Sequence, residues 1–220
     1  MWRYGVALAE AGWRADAVDL RGHGTAPRAL DYTLDAYGAD LAATLPDVGG
    51  SWDLVVAHSL GGAASTLSAA ADPGWTHRLV LIDPAIHLTD RDRDIVRTSQ
   101  EESFADPTAE AVRAGHPHWH EQDIELKALS ARQASRWAVE QTSIQNAMWD
   151  VRETASALSI PTHVIASDPA VYSIFRGKPA EEVMTANRRL SMSVITGAGH
   201  SPHRDKPAET IAALLRVLAE

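Results

Sequence analysis

The stretch Val55-Val56-Ala57-His58-Ser59-Leu60-Gly61-Gly62 runs without a linker into the small-residue run Ala63 to Ala71. Apolar residues suited to a buried strand lead into it, and alanines suited to a tightly packed helix follow. A serine therefore sits on the turn itself, with Ala57 and Gly61 two positions away on either side. This is a variant of G-x-S-x-G with alanine in the first place, a pattern that mounts a nucleophile on a sharp strand-to-helix turn. The pattern predicts crowding at the two flanking positions and a hydroxyl pushed out of the sheet. It also predicts that the Leu60 amide, at the positive end of the new helix, points toward a developing oxyanion.

Strands and helices alternate along much of the remaining chain. Trp2 to Ala11 reads as a helix ended by Gly12, and Arg14 to Leu20 as a strand followed by the loop Arg21-Gly22-His23-Gly24. Leu34 to Leu45 reads as a second helix, closed by Pro46 and Gly49-Gly50. Asp53 to His58, Arg78 to Ile82, Thr162 to Ala166 and Met192 to Thr196 read as further strands. Lys206 to Glu220 reads as an amphipathic helix with Ile211, Leu214, Leu215 and Leu218 on one face. The alternation predicts an α/β fold, a mainly parallel sheet covered by helices on both faces. It breaks between about His87 and Leu158, where helical patterns and the charged run Asp90 to Arg97 occur without a convincing strand. The expected organisation is a core over residues 1–86, a helical lid insertion over 87–158, and the rest of the core over 159–220.

A chain of 220 residues is ample for one sizeable core. Its formal charge of −9 argues against nucleic acid and anionic membrane surfaces as partners. With no cysteine, disulfides, thiol chemistry and thiolate metal sites are excluded. No apolar run approaches the ~20 residues of a membrane span, and Met1 to Glu10 lacks the apolar core of a signal peptide. The expectation is a cytoplasmic protein acting on a small molecule.

A serine hydroxyl needs a base within hydrogen-bond reach, and ten histidines compete for that role. His200 is the best placed, in Gly197-Ala198-Gly199-His200-Ser201-Pro202, after a strand and before the last helix. The base needs a carboxylate to hold its tautomer and stabilise the imidazolium. Asp168, at the end of the strand Thr162 to Ala166, is the first choice. Asp83 is its rival, since it also ends a strand and lies one unit nearer to Ser59. In a parallel sheet these loops open on the carboxyl-terminal edge that carries Ser59. The order Ser59, Asp168, His200 is the order such triads take on these sheets.

Taken together, Asp19-Leu20-Arg21-Gly22-His23-Gly24, Ala57 to Gly62, Leu79 to Pro84, Val164 to Pro169 and Gly197 to Pro202 resemble the α/β-hydrolase family over essentially the whole chain. The resemblance implies Ser59 as nucleophile, His200 as base and then acid, Asp168 as orienting acid, and the Leu60 amide as one oxyanion donor. No cofactor and no metal are implied. The implied activity is serine hydrolysis of a small or medium carboxylic ester or lactone. Carbon–carbon bond hydrolysis or perhydrolysis on the same fold is an alternative, as is a non-catalytic ligand-binding role. The helix at Trp2 to Ala11 resembles the family's first helix, so strands one to three and the loop giving the second oxyanion donor are expected to be absent. The expected consequences are a gapped or re-paired sheet, weak activity at best, and an unpaired edge that favours association with another copy.

Other residues carry competing readings. His58 adjoins the serine, so its side chain is expected to point away along the turn and to line the pocket or pack. Trp119, Trp137 and Trp149 are expected to divide between a small lid core and the substrate pocket. His116-Pro117-His118-Trp119-His120 suggests a metal site, but Pro117 constrains it, and a solvated or pocket-lining lid segment is the better reading. Gly22-x-Gly24 is not a dinucleotide fingerprint, because Pro27 stands where the third glycine would be.

Overall fold

Leu79-Val80-Leu81-Ile82 is apolar at each position, as expected of a parallel strand covered on both faces, and all four residues are buried. The computed structural model describes residues 1–219. Glu220, the last residue of the expected C-terminal helix, lies outside the described residues. The elements are α1 (Trp2–Glu10), α2 (Leu34–Ala42), β1 (Val55–His58), α3 (Leu60–Ala71), β2 (Leu79–Ile82), α4 (Asp90–Ala105), α5 (Ala109–Gly115), α6 (Glu121–Gln133), α7 (Arg136–Gln145), α8 (Arg152–Ser156), β3 (Thr162–Ser167), α9 (Gly177–Ala186), β4 (Leu190–Ile195), α10 (Pro202–Asp205) and α11 (Pro207–Ala219).

The sheet is parallel throughout, in the order β1-β2-β3-β4. Ile82 pairs with His58 on one side and Ile165 on the other, and Ser167 pairs with Ile195. The register brings the carboxyl ends of the strands to one edge of the sheet. Ser59, Asp83, Asp168 and the loop before His200 all leave from that edge.

The chain divides into two compact units. The first comprises Met1–Val18, Gly38–His87 and the residues from Asp150 onward, and it contains the sheet. Val80, Ile82, Ile165 and Ile195 on one sheet face pack with Tyr4 and Leu8 of α1 and with Ala213 and Leu214 of α11. Each such large apolar side chain contributes about 1.5–3 kcal/mol when fully buried. On the other side α3 packs against β1 and β2, and α8 packs against α3 and α9. The small residues of α3 allow close approach, and Ser68 Oγ donates to the Gly38 carbonyl at 2.7 Å.

The expected strand over Arg14 to Leu20 does not form, because no described strand lies beside it. Residues 14–19 are exposed and outside any sheet, and an extended segment becomes a strand only when a neighbour takes up its N–H and C=O groups. β1 is accordingly an edge of the described sheet. α9, which the sequence did not announce, is carried by Ala180 and Val183, three residues apart and both buried.

The second unit comprises Asp19–Tyr37 and Leu88–Trp149. It contains α4 to α7, and α6 packs against both α4 and α5. Thr89 caps α4 in a reciprocal pairing with Asp92. Buried Asn146 holds the Asp19–Tyr37 segment to the helices. Its Nδ2 donates to the carbonyls of Tyr32 and Thr142, and its Oδ1 accepts from the Leu34 amide. The glycine loop Gly22 to Gly24 closes on its own chain: a Cβ on Gly24 would overlap the Asp19 carboxylate, which accepts from the Thr25 amide and hydroxyl. Among the described residues, no helix is long and apolar enough to cross a membrane.

Candidate active site

β1 ends at His58, α3 begins at Leu60, and Ser59 makes the whole reversal between them. Its φ of 52° and ψ of −118° are strained for a residue with a side chain. Surrounding bonds hold this conformation. The Ser59 amide donates to the Ile82 carbonyl at 3.2 Å, and the Ser59 carbonyl accepts from Gly62, Ala63 and Ala85. The crowding expected at Ala57 and Gly61 falls one residue later. A Cβ on Gly62 would lie 2.6 Å from Pro84 Cβ, whereas one on Gly61 would meet only Ala57 Cβ at 3.8 Å. The β2 exit loop, passing under the start of α3, therefore requires the second glycine.

His200 Nε2 lies 2.9 Å from Ser59 Oγ. Its Nδ1 lies 2.7 Å from Asp83 Oδ2. With Nδ1–H donated to the carboxylate, Nε2 is left to accept the serine proton. Asp83 is fully buried and has an unusual φ of 36°. Its carboxylate also accepts from the Ser173 hydroxyl and from the amides of Ile174 and Phe175. Burial by itself pushes the Asp83 carboxyl up. The His200 hydrogen bond and charge, with the Ser173 and Ile174 bonds, outweigh burial and hold it below the usual carboxylate range.

The structure does not bring Asp168, the first-choice acid, to His200; the carboxylate it places there is that of the rival, Asp83. Asp168 Oδ1 accepts from the Ala170 amide at 2.9 Å, and Oδ2 from the Gly197 amide at 2.8 Å. Its own amide donates to the Ala198 carbonyl. The bonds from Gly197 and then Ala170 lower its pKa. Oδ1 of Asp168 thus closes a turn within its own loop after β3, while Oδ2 fastens the loop that carries His200. Ser167 Oγ to the Gly199 carbonyl and Gly199 N–H to Asp205 Oδ2 fasten the same loop.

The Leu60 amide stands at the first position of α3, where no intrahelical acceptor exists. It is available to a ligand beside Ser59. His58 donates from Nε2 to the His200 carbonyl at 2.6 Å. Its ring lies 4.7 Å from that of His200 and 4.9 Å from that of His203. Tyr172 stands edge-on to His200 at 6.1 Å.

Trp119, Trp137 and Trp149 lie in the second unit. Trp119 is buried and stacked on His116 at 3.7 Å. Trp149 is also buried, whereas Trp137 is 45% exposed and edge-on to Tyr32. The alternating histidines have separate occupations: His116 stacks, and His120 Nδ1 accepts from the Gln122 amide to cap α6.

Residues 1–214 match the family described as "Alpha/beta hydrolase family". The lipase LipV of Mycobacterium tuberculosis is 46% identical over 81 residues, covering 36% of this chain and 31% of that protein. An sn-1-specific diacylglycerol lipase of Danio rerio is 23% identical over 217 residues, covering 91% of this chain and 68% of that protein. The match thus spans under a third of the length of the first of these relatives and about two thirds of the second. Among solved structures, an esterase from Exiguobacterium antarcticum superposes with a TM-score of 0.80 at 16% identity, covering 100% of this chain and 86% of that one. At that identity the likeness is one of fold.

Proposed function

The chain belongs to the alpha/beta hydrolase family, and on that footing we propose that it is a serine hydrolase of a small or medium carboxylic ester or lactone. The observation that carries this reading is the unbroken hydrogen-bonded path from Ser59 Oγ through His200 to Asp83. Ser59 Oγ attacks the carbonyl carbon while His200 Nε2 takes its proton. The tetrahedral oxyanion accepts from the Leu60 amide, in the field of the α3 N-terminus. Asp83 holds the His200 tautomer and stabilises the imidazolium. His200 then protonates the leaving alkoxide, and water attacks the acyl-enzyme with His200 again as base.

The relatives named as lipases and the esterase of matching fold support an ester as the substrate class. The test is labelling by a serine-directed phosphonate together with a panel of short and medium acyl esters and lactones. The expected result is ester turnover and a label that disappears in Ser59→Ala. A label retained in Ser59→Ala, or a wild-type chain inert to both phosphonate and panel, would overturn the reading.

A further inference from the structure

The proposed reaction leaves one imidazole beside the nucleophile unused. His58 is the last residue of β1 and is bonded through the chain to Ser59. A carbonyl can only accept, so the 2.6 Å contact between His58 Nε2 and the His200 oxygen requires the proton on Nε2. That nitrogen is therefore committed and cannot serve as a second base. Other fastenings of the His200 loop act at Gly197, Ala198 and Gly199 before it and at the Ser201 carbonyl after it. The His58 bond acts at His200 itself.

We propose that His58 is a positioning residue: its side chain ties the main chain of His200 to the strand that presents Ser59. The proposal rests on the reading of Ser59 and His200 as nucleophile and base. The two reacting atoms are carried by different elements, Ser59 Oγ by the end of β1 and His200 Nε2 by a glycine-containing loop after β4. A tether from the residue before the serine to the carbonyl of the histidine fixes their separation directly. Displacing reacting groups by about 1 Å costs on the order of 10²-fold in rate, which is the scale on which such a tether matters.

The close approach of the rings also has a charge requirement. Burial pushes His58 down to about 3, and the neighbouring charge of His200 acts in the same direction. His200, His203, Asp83 and Arg204 are the titratable and charged groups that act on it. His58 therefore remains a neutral ring beside the imidazolium formed on His200 during turnover. A second cation there would oppose that proton transfer.

Two substitutions separate tether from filler. His58→Phe keeps a ring and removes the donor, while His58→Gln restores an N–H near the position of Nε2. The expected result is a fall in kcat of about 10- to 100-fold for His58→Phe, with KM within about threefold, and recovery to within about threefold of wild type in His58→Gln. Equal rates in the two variants, or an effect confined to KM, would overturn the proposal. Nitrogen-15 NMR of the wild-type histidine side chains reads the tether without turnover or folding of any variant. The expected spectrum has His58 protonated on Nε2, and an Nδ1-protonated His58 would refute the tether. Because this measurement needs no substrate, an inert wild-type chain would overturn the proposed reaction while the tautomer of His58 still decided the tether.

Discussion

Asp83 Oδ2 stands 2.7 Å from His200 Nδ1, joining the exit of β2 to the exit of β4 across the intervening β3. The carboxylate reaches over that strand because the loop after β3 folds around it. Ser173 and Phe175 turn a hydroxyl and an amide toward Asp83 Oδ1, and the Ile174 amide shares Oδ2 with the histidine. This arrangement stabilises a buried negative charge that would otherwise be costly.

The two aspartates should separate cleanly by substitution. Asp83→Asn replaces the acceptor of the His200 Nδ1 proton with an amide and favours the wrong tautomer, so kcat for ester hydrolysis should fall by about 10³- to 10⁴-fold. Asp168→Asn weakens two loop bonds, and its expected effect on kcat is under about tenfold, with a small loss of stability. Steady-state kinetics and urea unfolding of both variants measure this. A larger rate loss for Asp168→Asn would reverse the assignment.

The glycine pair should respond unequally to an added methyl. In Gly62→Ala the new carbon meets Pro84, and either the elbow or the β2 exit must shift, at a cost of about 1–3 kcal/mol. Gly61→Ala finds ordinary contact distance and replaces glycine with a better helix former, so stability should hold or rise by up to about 1 kcal/mol. Denaturant midpoints of the two variants decide, and equal destabilisation would contradict the geometry.

Acid should weaken the fold well above the carboxylate range. Burial lowers His58 to about 3 and holds His203 well below its ordinary value of 6.5, with the charge of His58 adding to the effect on His203. Above about pH 6.5 both residues are neutral whether folded or unfolded. Below it the unfolded chain takes up protons that the folded chain refuses, so stability falls as pH drops toward about 3. Each group contributes a slope of up to about 1.4 kcal/mol per pH unit. Asp83, lowered in the folded state, retains its contribution until pH falls through the carboxylate range. Thermal midpoints measured from about pH 7.5 to about 5 should therefore decline, and His203→Phe should flatten the decline. An unchanged slope in that variant would exclude His203 as a source.

Within the second unit, Asn146 is the position whose loss should be felt most. Asn146→Ala leaves the carbonyl of Tyr32 and the amide of Leu34 without their buried partner, at about 1–3 kcal/mol for each unsatisfied group. Limited proteolysis should then cut the Asp19–Tyr37 segment faster than in wild type. Protection equal to wild type would mean that the segment is held by other contacts.

Much of the architecture could be read from pattern. Four of the five expected strands appear within a residue or two of their expected bounds, because a buried parallel strand requires a short apolar run such as Leu79 to Ile82. Arg14 to Leu20 carries Arg14, Asp16 and Asp19 and is not such an apolar run; it forms no strand, since strand formation also depends on a neighbour that local sequence does not specify. The Asp19–Tyr37 segment was equally illegible as part of the second unit. Its attachment runs through Asn146, more than a hundred residues away in sequence.

Local pattern was enough to locate the elbow and the loop that face each other across the sheet edge. Ser59 stands between an apolar strand and a small-residue helix, and His200 follows a strand within a glycine-containing loop, a pattern that His23 shares only with the expected strand that does not form. Which carboxylate faces His200 was decided by packing in three dimensions. Asp83-Pro84 and Asp168-Pro169 are the same dipeptide at the ends of adjacent strands, and local chemistry gives no reason to prefer either. The choice follows from where the amides of the β3 exit loop point. They converge on Asp83 and leave it facing His200, while Asp168 is taken up by Gly197 and Ala170. A carboxylate's role is set by the donors that the fold brings to it, and those of Asp83 come from parts of the chain remote from it in sequence.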